Sequence, residues 1–458
     1  MAGPGSRHCS PADPFAGPAA MTPVVIIGGG ASGVLAAAHL RRRAPSVQIT
    51  IIEPAPALGA GLAYGTRQPG HLLNLPAKQM SAFADDPDHF CDWLERQGMN
   101  RTAESYLPRH IYAAYLSDLL STDLATGRVL WRRAAVTEIS GIRGCYVLSL
   151  SDGGRLVAAS LVLAVGHMAG QYEEAGLSNP WTSPLPTDPT ARVLILGSGL
   201  SMADRTAQLL RAGHRGQIIA LSRHGLAPLP HGDPHPLRID AADLPLGCGV
   251  SYGMRWLRCQ IAWHSGRGGD WRDVVDGLSG IVDQWWLSAS DQNKARYLRH
   301  VRRYWDVHRH RAPPEQAEIL AQAQAAGQLV LYRGRLLGRG HTNGEGFRAS
   351  IRRPDGSIEG LEVAQVIDCR GLHREGAVAH SPLIRGMIGQ GIARLDPLGI
   401  GLQLDPAGQL SGGTGVYVLG PMRRAYSLET ASIRDIRQQA SRIADLLARP
   451  GERIHAAA

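Results

Sequence analysis

Val24-Val25-Ile26-Ile27-Gly28-Gly29-Gly30-Ala31-Ser32-Gly33 decides the fold of this chain. Four apolar residues, two of them Val, read as a strand buried in a parallel sheet. Gly28, Gly30 and Gly33 match G-x-G-x-x-G, and residues 34–43 read as a helix of Ala, Leu and Arg. The three glycines respectively permit the tight turn, the close approach of a pyrophosphate, and the packing of helix on strand. The helix N-terminus offers unpaired N–H groups and a positive dipole to phosphate. A second strand over residues 47–52 ends in Glu53, twenty residues after Gly33. A carboxylate there can accept both hydroxyls of an adenosine ribose. A glycine-rich turn without a ligand does not account for strand, motif, helix, strand and acid falling in register.

The pattern returns after a Pro-, Ser- and Thr-rich junction at residues 179–190, as Arg192-Val193-Leu194-Ile195-Leu196-Gly197-Ser198-Gly199-Leu200-Ser201-Met202. Met202 replaces the third glycine, which predicts looser helix–strand packing. The next strand ends in Ser222-Arg223 instead of an acid. A hydroxyl and a guanidinium suit a ribose 2′-phosphate, which favours NADPH over NADH. The fold class is therefore α/β, with two Rossmann-like dinucleotide-binding domains, the NAD(P)-binding one inserted into the FAD-binding one. The expected boundaries are a disordered tail over 1–22, a first FAD-binding part over 23–185, the NAD(P)H-binding domain over 186–364 with a helical insertion over 250–312, and a second FAD-binding part over 365–458. Met21 competes with Met1 as the natural start.

The rest of the chain narrows the function classes. With 458 residues, 44% apolar and 19% charged, two or three domains are expected. The net charge of +9 is spread Arg and suits anionic ligands, with no nucleic-acid module in view. The six cysteines never fall as C-x-x-C, against a disulfide framework, a zinc site and a dithiol reductase. No apolar run is long enough for a membrane span, and a cytoplasmic location is expected. No metal site is expected: around Trp305-Asp306-Val307-His308-Arg309-His310-Arg311, the histidines lack further ligands at metal spacing.

Residues 58–66 read as a backbone-exposing loop, and 71–81 carry small and amide residues suited to lining a ligand. Asp86-Pro87 is expected to cap a helix, residues 111–120 to form another, and 129–151 an antiparallel meander. Leu298, Val301, Trp305 and His308 share one helical face, so a helix is expected through them, in an insertion over the second nucleotide domain whose tryptophans serve packing. A strand over 362–367 ends in Asp368-Cys369-Arg370-Gly371, echoing Ala164-Val165-Gly166-His167. Such crossings mark hinges between nucleotide domains. A helix over 433–447 can aim its N-terminus at a ring carbonyl. Held FAD and exchanging NAD(P)H would meet at the interface, so the chemistry belongs to the cofactor and no catalytic side chain is assigned.

Several segments together resemble a bacterial family of FAD-NAD(P)-binding oxidoreductases. They are residues 28–33, Gly61-Leu62-Ala63-Tyr64-Gly65, His71-Leu72-Leu73-Asn74-Leu75-Pro76-Ala77 with Met80-Ser81, Pro108-Arg109, Gly197-Ser198-Gly199-Leu200-Ser201-Met202-Ala203-Asp204, Ser222-Arg223-His224-Gly225-Leu226, residues 305–311, and Asp396-Pro397-Leu398-Gly399. The family is similar to FAD-dependent urate hydroxylases and flavin-dependent aspartate N-monooxygenases. That resemblance implies an FAD-dependent, NAD(P)H-consuming monooxygenase working through a C4a-hydroperoxyflavin. Its substrate would be small, nitrogen-containing and anionic, a urate-like purine or an amino acid. The alternatives are a reductase or dehydrogenase passing electrons to a protein or quinone, and a non-catalytic flavin-binding redox sensor. Departures fall at the hinge, where Val165 and Arg370 each replace a Thr.

The residues expected to hold FAD are Gly28, Gly30, Ala31, Ser32, Gly33 and Glu53, then Tyr64, Asn74, Met80, Ser81 and Arg109, then Val136, Ala164 and Gly166, and finally Gly420, Glu429 and Thr430. Gly197, Gly199, Leu200, Ser201, Ser222 and Arg223 are expected to hold NADPH (or NADH). Arg299, Arg303 and His308 are assigned to substrate, with Arg109 and the arginines of 296–311 as anion contacts. The expected partners are a small substrate and O2, with no nucleic acid and no membrane. A homodimer is left open.

Overall fold

Strand β1 (Val24–Ile27) is buried along its whole length because it is central: its neighbours on both sides run parallel to it. A computed structural model describes residues 24–166, 176–341, 346–370, 378 and 381–448. The expected tail, and His167 and Gly371 of the two crossings, lie outside the described residues. Helix α1 (Ala31–Arg43) follows the glycine turn, and β2 (Ile49–Ile52) returns beside β1. Next come α2 (Gly61–Tyr64), α3 (His89–Arg96), α4 (Arg109–Asp118), α5 (Ser121–Ala125) and β3 (Val129–Arg132).

The expected meander over 129–151 is corrected at its first strand. β3 pairs parallel with β2 and closes the edge of the main sheet. The meander is β4 (Val136–Ile142), β5 (Cys145–Leu150) and β6 (Arg155–Ala158). Alternating apolar residues look alike in both settings, and only the partner strand separates them. Residues 58–66 are not all loop either, since 61–64 close one helical turn. Asp88, not Asp86, stands at the N-cap of α3.

β7 (Ser160–Leu163) completes the crossing, and β15 (Val416–Val418) pairs with it, so the first sheet has the order β15-β7-β1-β2-β3. The second sheet holds β8 (Val193–Leu196), β9 (Ile218–Ser222), β10 (Leu329–Arg333) and β14 (Gln365–Asp368) in the order β10-β9-β8-β14. Helix α6 (Leu200–Arg211) follows β8. Between β10 and β14 lies a second antiparallel meander, β11 (Arg335–His341), β12 (Phe347–Arg352) and β13 (Ile358–Val363). The expected single strand over 362–367 is thus two strands that meet at Ala364. Because β14 pairs with β8, the chain leaves the second sheet after Asp368 and not at 364.

The insertion is helical: α7 (Val250–Ser265), α8 (Trp271–Gly277), α9 (Val282–Ser288), α10 (Asp291–His300) and α11 (Arg302–Arg309), ahead of α12 (Pro314–Ala325). The helix expected through 297–308 is broken at Val301, where φ is −107°. Trp286, Tyr297 and Trp305 are buried with Val274 and Leu278 in the insertion's own core. That core also takes in Ile400 and Leu428, and Trp286 Nε1 donates to Ala425 O at 3.0 Å. The insertion therefore leans on the carboxyl-terminal part of the first unit and is not carried by the second nucleotide domain alone. Helices α13 (Pro382–Gly389) and α14 (Ile433–Ala448) complete the first unit. Ile436 and Ile443 of α14 join Val34, Leu35 and Leu40 of α1 in one core.

Candidate functional site

Two glycine turns define the site, each at the carboxyl end of a central parallel strand. Gly28 has φ +101°, and a Cβ there would stand 2.5 Å from the carbonyl oxygen of Ala164. A Cβ on Gly33 would overlap the carbonyl oxygen of Gly28, so α1 can sit this close to β1 only without one. Gly30 faces Gly61, with 3.5 Å from its would-be Cβ to the Gly61 Cα. Helix α1 has no side-chain N-cap bond and no acid in its first turn, leaving its N–H groups and positive end for a ligand. Ala31 and Ser32 open that turn, and Gly420 packs so closely that a Cβ on it would stand 2.7 Å from Ser32 Oγ.

Glu53 stands at the end of β2 as expected. Its carboxylate accepts Gly29 N–H at 2.7 Å and Ala55 N–H at 2.9 Å. Those bonds fix the carboxylate beside the glycine turn, and each oxygen keeps a lone pair for a ribose hydroxyl. Val136 begins β4 just beyond β3, the strand beside β2. Ala164 N–H donates to Ile27 O at 2.8 Å, and among the described residues nothing lies within 4 Å of a would-be Cβ on Gly166. An uncapped helix, an open glycine cradle and an anchored carboxylate fit an adenine dinucleotide.

The loop residues serve more locally. Met80 is buried in the core, and Ser81 Oγ donates to Asp86 O at 2.6 Å. Ser81 O accepts from Arg437 Nη1 of α14 at 2.8 Å. Asn74 offers its carbonyl to His231 Nε2 at 2.7 Å, and burial followed by the nearby Arg311 pushes the His231 pKa down to about 4. Tyr64 packs against Tyr112 with the rings tilted by 58° and their centres 4.9 Å apart.

The second turn repeats the first. Gly197 has φ +103°, and a Cβ there would overlap Cys369 O. Around Gly199 nothing lies within 4 Å of a would-be Cβ, and α6, which opens with Leu200 and Ser201, has neither a side-chain cap nor an acid in its first turn. Met202 is wholly buried where the first motif has Gly33, so α6 stands far enough off to admit a side chain. Ser222 Oγ lies 2.9 Å from Ser198 Oγ and accepts Gly225 N–H at 2.9 Å, so its hydroxyl shapes the loop. Arg223 is exposed at the end of β9. Arg303, assigned to substrate from sequence, lies beside Arg223: burial first and then the Arg223 charge lower its pKa.

Arg109 does not stand free for an anion. Its Nη2 donates to Asp204 at 2.6 Å and its Nε to Leu72 O at 3.0 Å. Asp204 lies on α6 and is 2% exposed; its other oxygen accepts from Gln316 of α12 at 2.7 Å. The pair ties the first unit to the second. Trp181 covers it, with Arg109 5.3 Å from the ring centre and His71 meeting the ring edge-on.

Glu429 is likewise already partnered. Arg309 Nε donates to it at 2.5 Å and Ser279 Oγ at 2.8 Å, while neighbouring Thr430 is buried. Burial opposes the charge, but the Arg309 guanidinium wins and holds the Glu429 carboxyl below its usual range. Asp283 anchors the same loop, accepting Ser427 Oγ at 2.6 Å and Leu428 N–H at 2.9 Å. Asp435, bonded to Ser432, is pushed up to about 7 by burial and then by Glu429.

The three substrate assignments do not converge. Arg299 is exposed on the last turn of α10, and His308 gives Nδ1 to Tyr304 O and meets Trp271 edge-on. His310, the other histidine of 305–311, follows Arg309 at the C-cap of α11. Its ring is exposed, yet protein surrounds it closely enough that burial lowers its pKa, with Asp306, Arg309 and Glu429 nearby. Its backbone N–H closes on Asp306 O, and Arg309 before it is pinned to Glu429. The Arg309–Glu429 contact is not a local sequence signal.

Comparison with known proteins bears on this geometry. No curated protein matches the sequence. An ornithine hydroxylase from Pseudomonas aeruginosa superposes with a TM-score of 0.63 at 13% identity, over 94% of this chain and 99% of that one. An ornithine N-hydroxylase from Kutzneria sp. 744, with reduced FAD, NADP+ and L-ornithine, gives 0.61 at 14% identity over 93% and 99%. An L-lysine 6-monooxygenase from Pseudomonas syringae gives 0.61 at 19% over 93% and 99%. No helix among the described residues is long and apolar enough to cross a membrane. Residues 25–168 match the FAD-NAD(P)-binding family, and the chain around them has the overall fold of these hydroxylases and this monooxygenase.

Proposed function

We propose that this chain is an FAD-dependent, NADPH-consuming monooxygenase that hydroxylates the nitrogen of a small amine. The observation that carries the reading is the pair of uncapped, acid-free glycine turns, one ending beside the Glu53 carboxylate and the other beside Arg223. A carboxylate accepts ribose hydroxyls and repels a 2′-phosphate, whereas a guanidinium attracts one, so FAD goes to the first turn and NADPH to the second. Bound FAD supplies the redox chemistry and the activation of oxygen.

The chain's own residues bind, orient and exclude water. Gly28, Gly30 and the start of α1 hold the pyrophosphate, and Glu53 the ribose. The Arg109–Asp204 pair holds the second unit against the first, which sets the reach of the nicotinamide. The insertion closes over the carboxyl-terminal loop through Trp286, Arg309 and Ser279. The ornithine and lysine enzymes that share the fold support an amine nitrogen over a purine carbon.

Oxygen uptake with NADPH, scored against hydroxylamine formed from a panel of primary amines and amino acids, tests the reading. A responsive substrate should give hydroxylamine in proportion to NADPH consumed. Rapid flavin reduction with transfer to quinones, and no hydroxylamine from any amine, would refute it in favour of a reductase.

A further inference from the structure

Helix α11 joins two places that the proposed function leaves separate. Tyr304 meets His224 at 6.2 Å between ring centres, and Leu229 N–H donates to Val307 O at 3.2 Å. The helix thus lies along the loop that leaves β9, directly after Arg223. At this end Arg303 stands with Arg223, while His224 feels Arg303, Arg223, Arg333 and Arg335 together. Among the described residues no carboxylate pairs with any of these four arginines, and the one acid acting on Arg303 is Asp306, which is bonded to Arg302 at 3.4 Å. Four guanidiniums brought together, one of them half-buried, repel one another unless an anion sits among them. They gather where β9 and β10 end, at the ligand-binding edge of a parallel sheet. At its other end α11 carries Arg309, locked to Glu429 on the loop that opens α14. Six residues of helix span only about 9 Å.

We propose that Arg303 is a second ligand to the 2′-phosphate of NADPH, supplied by the insertion, and that through α11 the occupied phosphate site orders the 427–432 loop on the first unit. This rests on the NADPH reading above. The phosphate is read from two elements, Arg223 on the second nucleotide domain and Arg303 on the insertion. Coenzyme that lacks it leaves the guanidiniums at that end of α11 without a countercharge. The distinction between NADPH and NADH then reaches past affinity to the order of the 427–432 loop on the first unit.

The test uses FAD-loaded protein with 2′,5′-ADP and 5′-AMP as probes, read by calorimetric titration and by hydrogen exchange. Wild type should bind 2′,5′-ADP at least ~10-fold more tightly than 5′-AMP, since charge-assisted bonds to phosphate are strong. Arg303→Ala and Arg303→Gln should each lose roughly 10-fold for 2′,5′-ADP and almost nothing for 5′-AMP. Saturating 2′,5′-ADP should slow exchange in 302–310 and 427–432 in wild type and not in either variant. Equal affinity of wild type for the two probes would overturn the NADPH reading and this inference with it. Unequal affinity that survives both substitutions, or exchange in 427–432 that ignores the ligand, would overturn the inference alone. The exchange measurement on wild type stands even if one variant fails to fold.

Discussion

Replacing Arg109 with Met removes one half of a buried ion pair while keeping most of the side-chain volume. Asp204 is 2% exposed and Arg109 14%, and their 2.6 Å contact lies under the Trp181 ring. The carboxylate left behind would retain Gln316 as donor but no countercharge. Breaking a buried pair from one side costs about 3–5 kcal/mol, because the surviving charge stays desolvated. For a unit of this size that corresponds to a melting decrease of about 6–20 °C. Arg109→Met combined with Asp204→Asn tests the cause: Asn keeps an oxygen for Gln316 and removes the stranded charge. The double variant should regain most of the loss, a coupling that independent sites do not show. Calorimetric melting of the four proteins gives the cycle, and anaerobic mixing with NADPH gives the functional side. Flavin content should hold while reduction by NADPH slows, because the pair sets the two units against each other. An Arg109→Met protein within ~1 kcal/mol of wild type, or a double variant that sums the single losses, would refute the reasoning.

Further outcomes follow from the same geometry. Gly30→Glu places a carboxylate in the open cradle at the uncapped end of α1; the purified protein should be colourless with unchanged far-ultraviolet circular dichroism, and retained FAD would count against the placement. Arg223→Ala should raise the KM for NADPH by roughly 10–100-fold, the worth of a charged hydrogen bond, and leave that for NADH unmoved; steady-state kinetics with both coenzymes reads the ratio. His231 is held neutral in the fold, with a pKa of about 4 against 6.5 in the open chain. Its lowered value means stability is full above 6.5 and declines as pH falls toward 4, by up to about 3 kcal/mol. Urea melts across that window should flatten in His231→Gln, and an unchanged slope would remove His231 as the cause.

Local patterns made the cofactor framework legible. β1, its glycine turn, α1 and Glu53 fall where the motif and its spacing put them, and so does the second turn at Gly197. These features depend on near neighbours: a run of Val and Ile, a turn only glycine can make, and an acid at a set distance. Elements that depend on distant partners were not legible. β3 reads as part of a meander until β2 is found beside it, and β14 reads as the return to the first unit until β8 pairs with it. The break at Val301 interrupts an apolar face that continues unbroken in sequence.

The side-chain assignments divide the same way. Arg109 looked like an anion contact because Asp204, 95 residues away, is not visible as its partner. Glu429 and Arg309 were assigned separately to cofactor and to anion, and the fold spends each on the other. Arg303, assigned to substrate from sequence, lies beside Arg223 because α11 runs along the loop after β9, a neighbourhood that no local pattern announces.

The central claim is that flavin lies on the first glycine turn and a nicotinamide reaches it from the second. Anaerobic titration of the purified protein with NADPH tests it most directly. One FAD per chain should bleach with one equivalent of NADPH, and the response should vanish in the Gly30→Glu protein. A protein that purifies without flavin and binds none when FAD is supplied, or a bound flavin that NADPH leaves oxidised, would contradict it.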